Sequence, residues 1–472
     1  MGSSGGWDQR RRRAVLGAWS LAIVILSTAV PTAFGANGTG SLDRSFGDFG
    51  RATATAPLGS GWLDADVQLA EGSEGDIVVG SGDTVVRFDP DGRLDGSFGA
   101  DGRLALADSA QTDFTLRDLA IDPAGRVLVF GAAVSMTETE EVGPYPLGRV
   151  PESLGAVRRY DQHGNPDPTF GGGDGLVTTD FGLSPTLGKI GTVRIARGIV
   201  DDQSRPVVLG SVRGIGGCGA RPAFIERRLL ISRLTSDGQP DPAFGLDGQM
   251  SHPPLYGIGE WAFGPGHEPV IAGWLEGGCV PDAEGGPSPA TGMIDLRSDG
   301  SLDESFGEGG RRYFPTLGSI ADLVVDRRGR IVVRSSMLVT RLTADGELDR
   351  SFGRGGRTAV QLPKFSGLTS MAVDTSGGVL LVGTLALRKR EAGAFNDLFR
   401  RSFTVIRLHS SGRPDRGFGK GGWIATRFGR RSSVVPGETL VDAEDRLVVA
   451  GAIARPDMAP TGGFAVARYR VP

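Results

Sequence analysis

One nine-residue pattern, roughly D-G-x-[LP]-D-x-[STAG]-F-G, occurs seven times along this 472-residue chain. The copies are unequally spaced, which indicates a common unit that accepts insertions. Their phenylalanines are Phe46, Phe98, Phe170, Phe244, Phe306, Phe352 and Phe418. Repeated units bury their apolar faces against each other and share one core, so the length of the chain does not indicate several unrelated domains.

Each unit contains four short β-strands. In the sixth unit they are Leu368–Asp374, Val379–Gly383, Phe403–Leu408 and Trp423–Phe428, separated by turns rich in Gly, Ser and Asp. The second strand, VLLVG here, is apolar without alternation, which indicates burial on both faces. Four antiparallel strands in each of seven units predict an all-β fold, the seven-bladed β-propeller.

The two ends of the chain predict how the ring closes. The chain enters at a repeat turn, so its first strand, Arg51–Ala56, is a fourth strand. It ends on a third strand, Phe464–Val471, whose blade lacks a fourth. We therefore expect the N-terminal strand to complete the seventh blade, which leaves no unpaired edge at the junction.

The N-terminal segment has the order of an export signal. A basic Arg10–Arg13 precedes an apolar Ala14–Val30, and small residues follow at Ala33–Ala36. We predict a signal peptide at 1–36, a propeller domain at 37–472, and a secreted or cell-envelope location. An uncleaved anchor stays open as an alternative, as does the choice between general and twin-arginine export. No later stretch is apolar and long enough to predict a membrane span in the mature chain.

The two cysteines predict a disulfide. Cys218 and Cys279 each follow Gly-Gly after the second strand of adjacent units. Equivalent loops of neighbouring blades run side by side, and export favours oxidation. Two free thiols are the alternative.

The combination of [LP]-D-x-S-F-G with an A-V-D-x-x-G-x-[IVL]-[VL]-V-G hairpin resembles the delta-60 repeat β-propeller family, and in style the NHL-type propellers. The resemblance covers about residues 40 to 472. It implies the propeller fold and frequent export, and it supplies no catalytic residues. The fourth unit departs most, because its hairpin reads EWAFGPGH over Glu260–His267 and Asp295 replaces the usual third-strand arginine.

Two residue types recur in nearly every unit. A residue that every blade contains usually serves the blade, so we expect arginine–aspartate pairs and aspartate-capped turns above a buried phenylalanine. The third-strand arginines are Arg87, Arg159, Arg233, Arg341, Arg407 and Arg468. The turn aspartates are Asp43, Asp95, Asp167, Asp241, Asp303, Asp349 and Asp415.

Polar residues at one position of the innermost strands are the candidate ligand-binding residues. Most lie four residues before the hairpin aspartate, and together they would line the central channel and bind a cation or a polar ligand. They are Asp118, Arg197, Glu260, Asp322 and Glu438, with Ser370 at the same position of the sixth unit. The alternative is that they bind neighbouring backbone or ordered water.

The large insertions fall between second and third strands. These connections all leave the ring on one face, where variable loops over a rigid scaffold commonly carry function. One insertion contains Glu138, Glu140 and Glu141, and another contains Arg388, Lys389 and Arg390. The four insertions are Val134–Leu154, Arg213–Arg228, Leu275–Gly292 and Ala386–Arg401.

Composition and motifs narrow the function. A formal net charge of −4 provides no basic field for nucleic acid. The four histidines lack ligand spacing and lie near no nucleophile motif, so we expect no metal, no cofactor and no catalytic triad. The leading hypothesis is a non-enzymatic extracellular module that binds a protein or a cell-envelope glycan, with a monomer as the starting expectation. The alternative is a propeller lyase or glycosidase that uses the channel carboxylates.

Overall fold

Short β-branched runs between Gly- and Asp-containing turns form strands throughout the chain. A computed structural model describes residues 40–56, 66–106, 113–137, 150–179, 193–216, 224–250, 255–266, 268–281, 287–314, 317–361, 366–387, 400–429, 432–454 and 462–471. These residues contain 29 strands, and all of them belong to one compact unit, Gly35–Pro472. No helix of the described residues is long and apolar enough to cross a membrane.

The chain enters with two short strands, β1 (Ser41–Leu42) and β2 (Arg51–Thr55), and then builds the blades in order. Blade one comprises β3 (Gln68–Glu71), β4 (Ile77–Ser81), β5 (Thr84–Phe88) and β6 (Arg103–Ala105). Blade two comprises β7 (Asp113–Ile121), β8 (Val127–Thr137), β9 (Val150–Tyr160) and β10 (Leu176–Thr179). Blade three comprises β11 (Val193–Val200), β12 (Pro206–Gly216), β13 (Phe224–Arg233) and β14 (Gln249–Met250). Within each blade, sequential strands pair antiparallel from the channel outwards.

The remaining blades follow the same plan. Blade four comprises β15 (Leu255–Phe263), β16 (Pro269–Pro281), β17 (Pro287–Asp295) and β18 (Arg311–Tyr313), and blade five comprises β19 (Asp322–Val325), β20 (Ile331–Ser335), β21 (Leu338–Leu342) and β22 (Arg357–Ala359). Blade six comprises β23 (Ser366–Val373), β24 (Val379–Leu387), β25 (Arg400–Leu408) and β26 (Trp423–Thr426). Blade seven comprises β27 (Ser433–Val441), β28 (Arg446–Ala454) and β29 (Gly463–Arg470). Seven blades form a ring, which confirms the predicted seven-bladed β-propeller.

The N-terminal strand closes the ring as predicted. Strand β2 pairs antiparallel with β29 from Arg51↔Ala467 to Thr55↔Gly463, so it is the fourth strand of blade seven. Strand β1 extends the same edge, with Ser41 opposite Arg470. The first and last described segments of the chain therefore hold one blade together.

The predicted boundaries of the insertions are wrong. Strand pairing continues well into them: in blade two it runs through Ser135↔Glu152 to Thr137↔Val150. The other three insertions also begin and end in strand, because an antiparallel hairpin can continue its ladder of backbone hydrogen bonds beyond the blade core. Their middle parts, 138–149, 217–223, 282–286 and 388–399, lie outside the described residues.

The core consists of layers between blades. The buried apolar residues form seven clusters, and each cluster joins two neighbouring blades. Phe170 of blade two, for example, packs with Val208 and Leu230 of blade three. Strand β4 is buried along its whole length, as expected for a strand covered on both faces. Each blade therefore depends on its neighbours for its buried surface.

The repeated motif forms a compact unit that we call the turn unit: the third-strand arginine, the turn aspartate and the turn phenylalanine. In blade three, Arg233 Nε donates to Asp241 Oδ2 at 2.7 Å, and the guanidinium carbon lies 4.9 Å from the centre of the Phe244 ring. The other Asp241 oxygen accepts from the backbone N–H of Ala243 at 2.9 Å. The expected pairs are confirmed; the others are Arg87–Asp95, Arg159–Asp167, Arg341–Asp349, Arg407–Asp415 and Arg468–Asp43.

Each turn unit also binds the next blade. Arg233 Nη1 donates to the carbonyl of Ser298 in blade four, and Gly245 N donates to Asp299 O at 2.8 Å. Gly300 lies against the Phe244 ring with φ +82°, and a Cβ there would lie 2.8 Å from the ring. The glycine of D-G-x-[LP]-D is therefore required both by its conformation and by the phenylalanine of the preceding blade.

Blade four lacks the turn unit. Asp295 stands where the other blades have arginine, and one of its oxygens is buried with no hydrogen-bond partner among the described residues. Burial, and then the charge of Asp303, raise the pKa of Asp295 to about 6. Glu268 also replaces the hairpin arginine found in other blades, such as Arg126 of blade two. Asp303 is paired with Arg297 at 3.6 Å instead, and Asp295 has no cationic partner among the described residues.

Deleting the closing strand should destabilise the whole propeller. A chain that begins after Ala56 loses β2, so β29 becomes an exposed edge and blade seven loses a layer of packing. We expect its thermal midpoint to fall by more than about 10 °C in scanning calorimetry. A chain that begins at Gly40 is the control and should melt like the full chain. Equal midpoints for both truncations would contradict the closure.

Restoring the missing arginine should stabilise blade four. Asp295→Arg would pair with Asp303 and stack on Phe306, worth roughly 1–3 kcal/mol in the free energy of unfolding at pH 8. The gain should shrink as pH falls from 6 towards 4, because Asp295 is then protonated in the folded wild type and no longer opposes folding.

The reverse substitution in blade five, Arg341→Asp, is the control and should lose about 3 kcal/mol or more. Urea unfolding curves of the three proteins measure both changes. An Asp295→Arg variant no more stable than the wild type at pH 8 would show that blade four does not need the arginine.

Candidate functional site

The innermost strands bring one position of every blade to the central channel. The position lies four residues before the first residue of the turn that joins the first and second strands, as Asp118 does before Asp122, and in several blades a β-bulge precedes it, as between Leu116 and Asp118. A bulge redirects the following side chain. We call these seven residues the channel ring: Gln68, Asp118, Arg197, Glu260, Asp322, Ser370 and Glu438.

Arg197 crosses the channel. Its Nη1 lies 2.8 Å from Glu438 Oε1 and 3.4 Å from Gln68 Oε1. These partners belong to blades seven and one, which do not adjoin blade three, so the three side chains meet inside the ring. Burial disfavours the charge of Arg197, but Glu438 and Asp118 outweigh it and raise the arginine pKa above its ordinary value. Arg197 is therefore a permanent cation in the channel.

Two ring carboxylates are bound to the backbone of the next blade. Asp118 accepts from Gly198 N at 2.9 Å with one oxygen and from Leu119 N at 2.9 Å with the other. Glu438 accepts from Leu69 N at 2.8 Å with the oxygen that Arg197 does not use. For these two residues the alternative interpretation is confirmed: they hold neighbouring innermost strands together.

The ring residues of blades four to six have a different environment. Asp322 Oδ2 lies 3.6 Å from Arg334 Nη2, and Arg334 is 5% exposed. Asp322 Oδ2, Arg334 Nε and Ser370 Oγ are all buried without a hydrogen-bond partner among the described residues. We call Glu260, Asp322, Ser370 and Arg334 the open sector. Its polar groups retain unused hydrogen-bonding capacity.

Sequence reasoning missed two residues of this site. Gln68 was missed because the candidates were located by counting back from a hairpin aspartate, and blade one has Gly72 at that position. Arg334 lies on a second strand that otherwise reads as buried and apolar. The signal was available: the equivalent residues of the other blades are all apolar or glycine, namely Gly80, Phe130, Leu209, Ala272, Val382 and Ala450.

Three ring carboxyls hold protons unusually tightly. Burial raises the pKa values of Asp118, Glu260 and Asp322 to about 7 each. The positive charges of Arg197 and Arg334 offset this only in part. Near neutral pH these groups exchange protons readily, and each can accept or donate a hydrogen bond according to its state.

The three-carboxylate group close enough to share one metal ion lies outside the ring. It consists of Glu71, Asp442 and Glu444, and Asp442 is already paired with Arg446 at 2.6 Å. Burial, with Asp442 and Glu444 close by, raises the pKa of Glu71 to about 7. Among the described residues, no three ring carboxylates approach each other this closely.

Several predicted features lie outside the described residues. They include the export segment 1–36, the charged loop residues Glu138, Glu140, Glu141, Arg388, Lys389 and Arg390, and Cys218. Cys279 lies on β16, but its side chain is not described. The Cys218–Cys279 disulfide therefore stays a prediction.

No protein-family model and no curated protein matches this chain. Similar solved structures include a gluconolactonase from Xanthomonas campestris (16% identity, 74% of this chain and 95% of that chain, TM-score 0.34). Others are an aldose sugar dehydrogenase from Streptomyces coelicolor in its PQQ-bound form (15% identity, 80% and 99%, TM-score 0.34) and a chain of a mitotic checkpoint complex (10% identity, 98% and 99%, TM-score 0.45). None of these likenesses assigns an activity to this chain.

The ring carboxyls should make stability fall with rising pH. Their folded-state pKa values exceed the ordinary values near 4, so their ionisation opposes folding; this cost grows between about pH 4 and pH 7, where the unfolded chain is ionised and the folded ring is not, and it levels off above pH 7. The wild-type thermal midpoint should drop by roughly 3–6 °C between pH 5 and 7.5.

A Glu260→Gln/Asp322→Asn double variant should lose much of that drop. Asp202→Asn, on an exposed turn, is the matched control and should behave like the wild type. An equal slope in all three proteins would contradict the assignment of raised pKa values to the ring.

Proposed function

We propose that the protein is an exported propeller of delta-60 repeat type that binds a protein or a cell-envelope glycan on the face where the second and third strands connect. The observation that carries this proposal is the difference between the two faces. The second strands of blades two, three and four run for 11 to 13 residues, against five in β4 and β20, and the β8–β9 pairing reaches Thr137 and Val150. The first-to-second-strand turns of the opposite face are short, such as Asp122–Arg126. Long hairpins around a rigid ring offer a broad recognition surface.

The hydrogen bonding of the ring favours binding over catalysis. A glycosidase needs two carboxyls about 5–10 Å apart in an open pocket, free to transfer protons or attack substrate. Both oxygens of Asp118 and both oxygens of Glu438 are occupied by backbone N–H groups or Arg197. Neither residue can serve as a catalytic base without loosening the contact between innermost strands.

A second candidate function is an extracellular lyase or glycosidase. Glu260 and Asp322 favour it, because their pKa values near 7 suit one acid and one base at neutral pH. They adjoin Arg334, which would stabilise developing negative charge. This candidate depends on a substrate reaching the open sector.

Binding should depend on the long hairpins. The secreted protein would be screened on a glycan array and used in pull-downs from envelope extract. In the test variant, an Asn-Gly turn replaces 135–152. The control variant is Ala124→Asp in the short turn of the opposite face. We expect the hairpin variant to lose at least about tenfold in affinity, because its contact surface is gone, while the control retains it.

Full binding by variants with each of the four hairpins shortened would contradict the proposed face. Depolymerisation of an envelope glycan by the wild type, abolished by Glu260→Gln and by Asp322→Asn, would establish the second candidate instead.

A further inference from the structure

We propose that the open sector of the channel ring is a saccharide subsite, which receives neighbouring hydroxyl groups of a sugar unit. This inference rests on the glycan form of the proposed function and identifies where one sugar unit is held. Its residues are Glu260, Asp322, Ser370 and Arg334.

The ring is asymmetric. Arg197 fills the side of the channel between blades three, seven and one, and it pairs there with Glu438 and Gln68. On the same side, both carboxylate oxygens of Asp118 accept hydrogen bonds from backbone N–H groups. At the level of the ring, the buried polar atoms without a hydrogen-bond partner among the described residues, Asp322 Oδ2, Arg334 Nε and Ser370 Oγ, belong to blades five and six. One side of the ring is therefore internally satisfied, and the other is not.

Arg334 is the strongest sign of a ligand. A buried charge is costly unless it is fully paired, and the equivalent positions of all other blades avoid the cost with apolar residues or glycine. Its Nη atoms donate to the carbonyls of Ala321, Ser336 and Thr369 at 3.3, 3.4 and 3.5 Å, and Nη2 lies 3.6 Å from Asp322 Oδ2. Its Nε is buried with no hydrogen-bond partner among the described residues. Each unpaired buried polar group costs about 1–3 kcal/mol. Three of them in one sector provide hydrogen-bonding capacity that a polar ligand would use.

The unpaired atoms define the chemistry of that partner. Asp322 Oδ2 accepts when ionised, Arg334 Nε–H donates, and the Ser370 hydroxyl does both. A bare cation would satisfy only the acceptors, and an anion only the donors. A hydroxyl group donates and accepts, and two hydroxyls on adjacent carbons match a carboxylate beside a guanidinium. A sugar unit fits all three groups, with Glu260 as a further acceptor.

Solvent reaches the level of the ring. Although they lie on innermost strands, the side chains of Arg197 and Glu438 are 35% and 26% exposed. Asp322 is less exposed, with 16% of its side chain accessible. Water therefore reaches the part of the ring beside the open sector, and a small polar group can enter from there and displace it.

The test measures binding of free sugars to the full secreted chain. Glucose, galactose, mannose and, as a short polyol, glycerol would be titrated at millimolar concentration and followed by ligand-detected NMR and calorimetry. We expect at least one hexose to bind. Arg334→Val and Ser370→Ala should each weaken its binding roughly tenfold or more.

Folding controls separate recognition from structure. Arg334→Val removes the ion-pair partner of Asp322, so its thermal midpoint should fall, and a circular-dichroism spectrum like that of the wild type at the titration temperature shows that the variant is folded there. Thr404→Val is the matched control for Ser370→Ala: it also removes a buried hydroxyl without a hydrogen-bond partner, but on a third strand away from the channel. It should leave sugar binding unchanged.

Three results would overturn the subsite. They are no hexose binding by the wild type, equal binding by Arg334→Val and Ser370→Ala, and stabilisation by calcium chloride without any response to sugars. Hairpin-dependent capture of a protein or a glycan chain that survives both ring substitutions would leave the proposed function standing while the subsite fails. Sugar binding without any hairpin-dependent partner would support the subsite and remove the proposed face.

Discussion

The ring depends on the buried pair between each third-strand arginine and the aspartate of the following turn. In blades two, three, five and seven the guanidinium binds the carboxylate, lies over the turn phenylalanine and donates to a carbonyl of the next blade, as Arg233 does to Ser298. The turn glycine of that blade packs on the same phenylalanine. One short motif thus organises its own turn and attaches the neighbouring blade. In blade seven the aspartate is Asp43, 425 residues away from its partner Arg468, so the N-terminal segment supplies both the missing strand and the missing turn.

Because the turn units hold the blades together, the residues at the centre of the propeller can differ from blade to blade. The seven residues of the channel ring differ both in type and in how completely their hydrogen bonds are satisfied. Arg197, Glu438 and Asp118 bind one another or the backbone, whereas Glu260, Asp322 and Ser370 retain free capacity beside Arg334. The other blades have an apolar residue or glycine at the position of Arg334. The buried arginine and the long hairpins are the two features that the proposed binding function would explain.

The fold was predictable because its signals are local and repeated. A nine-residue motif does not occur seven times by chance. Its arginine and aspartate form the expected pair, and its phenylalanine is buried beside them as expected. The site was predictable only where the repeat is regular. Asp118, Asp322 and Glu438 were located by counting back from a hairpin aspartate, whereas Gln68 was missed because blade one has Gly72 there. Arg334 was missed because a second strand was treated as uniformly buried. The pairing across the channel by Arg197 is not encoded in any single repeat, because it depends on how blades three, seven and one meet. The strand ends in the insertions were missed for a local reason: the insertions were treated as loops, whereas their strands continue to pair within the blade.

A double-mutant cycle on Arg341 and Asp349 tests most directly whether the turn unit holds the ring together. These two side chains form the buried pair of blade five, 2.7 Å apart, and Arg341 reaches the next blade at Ser410. The free energy of unfolding would be measured for the wild type, Arg341→Met, Asp349→Asn and the double variant. The account predicts that each single variant loses about 3 kcal/mol and that the coupling energy is about 2 kcal/mol or more. Single variants that lose less than about 1 kcal/mol, with additive effects, would contradict it.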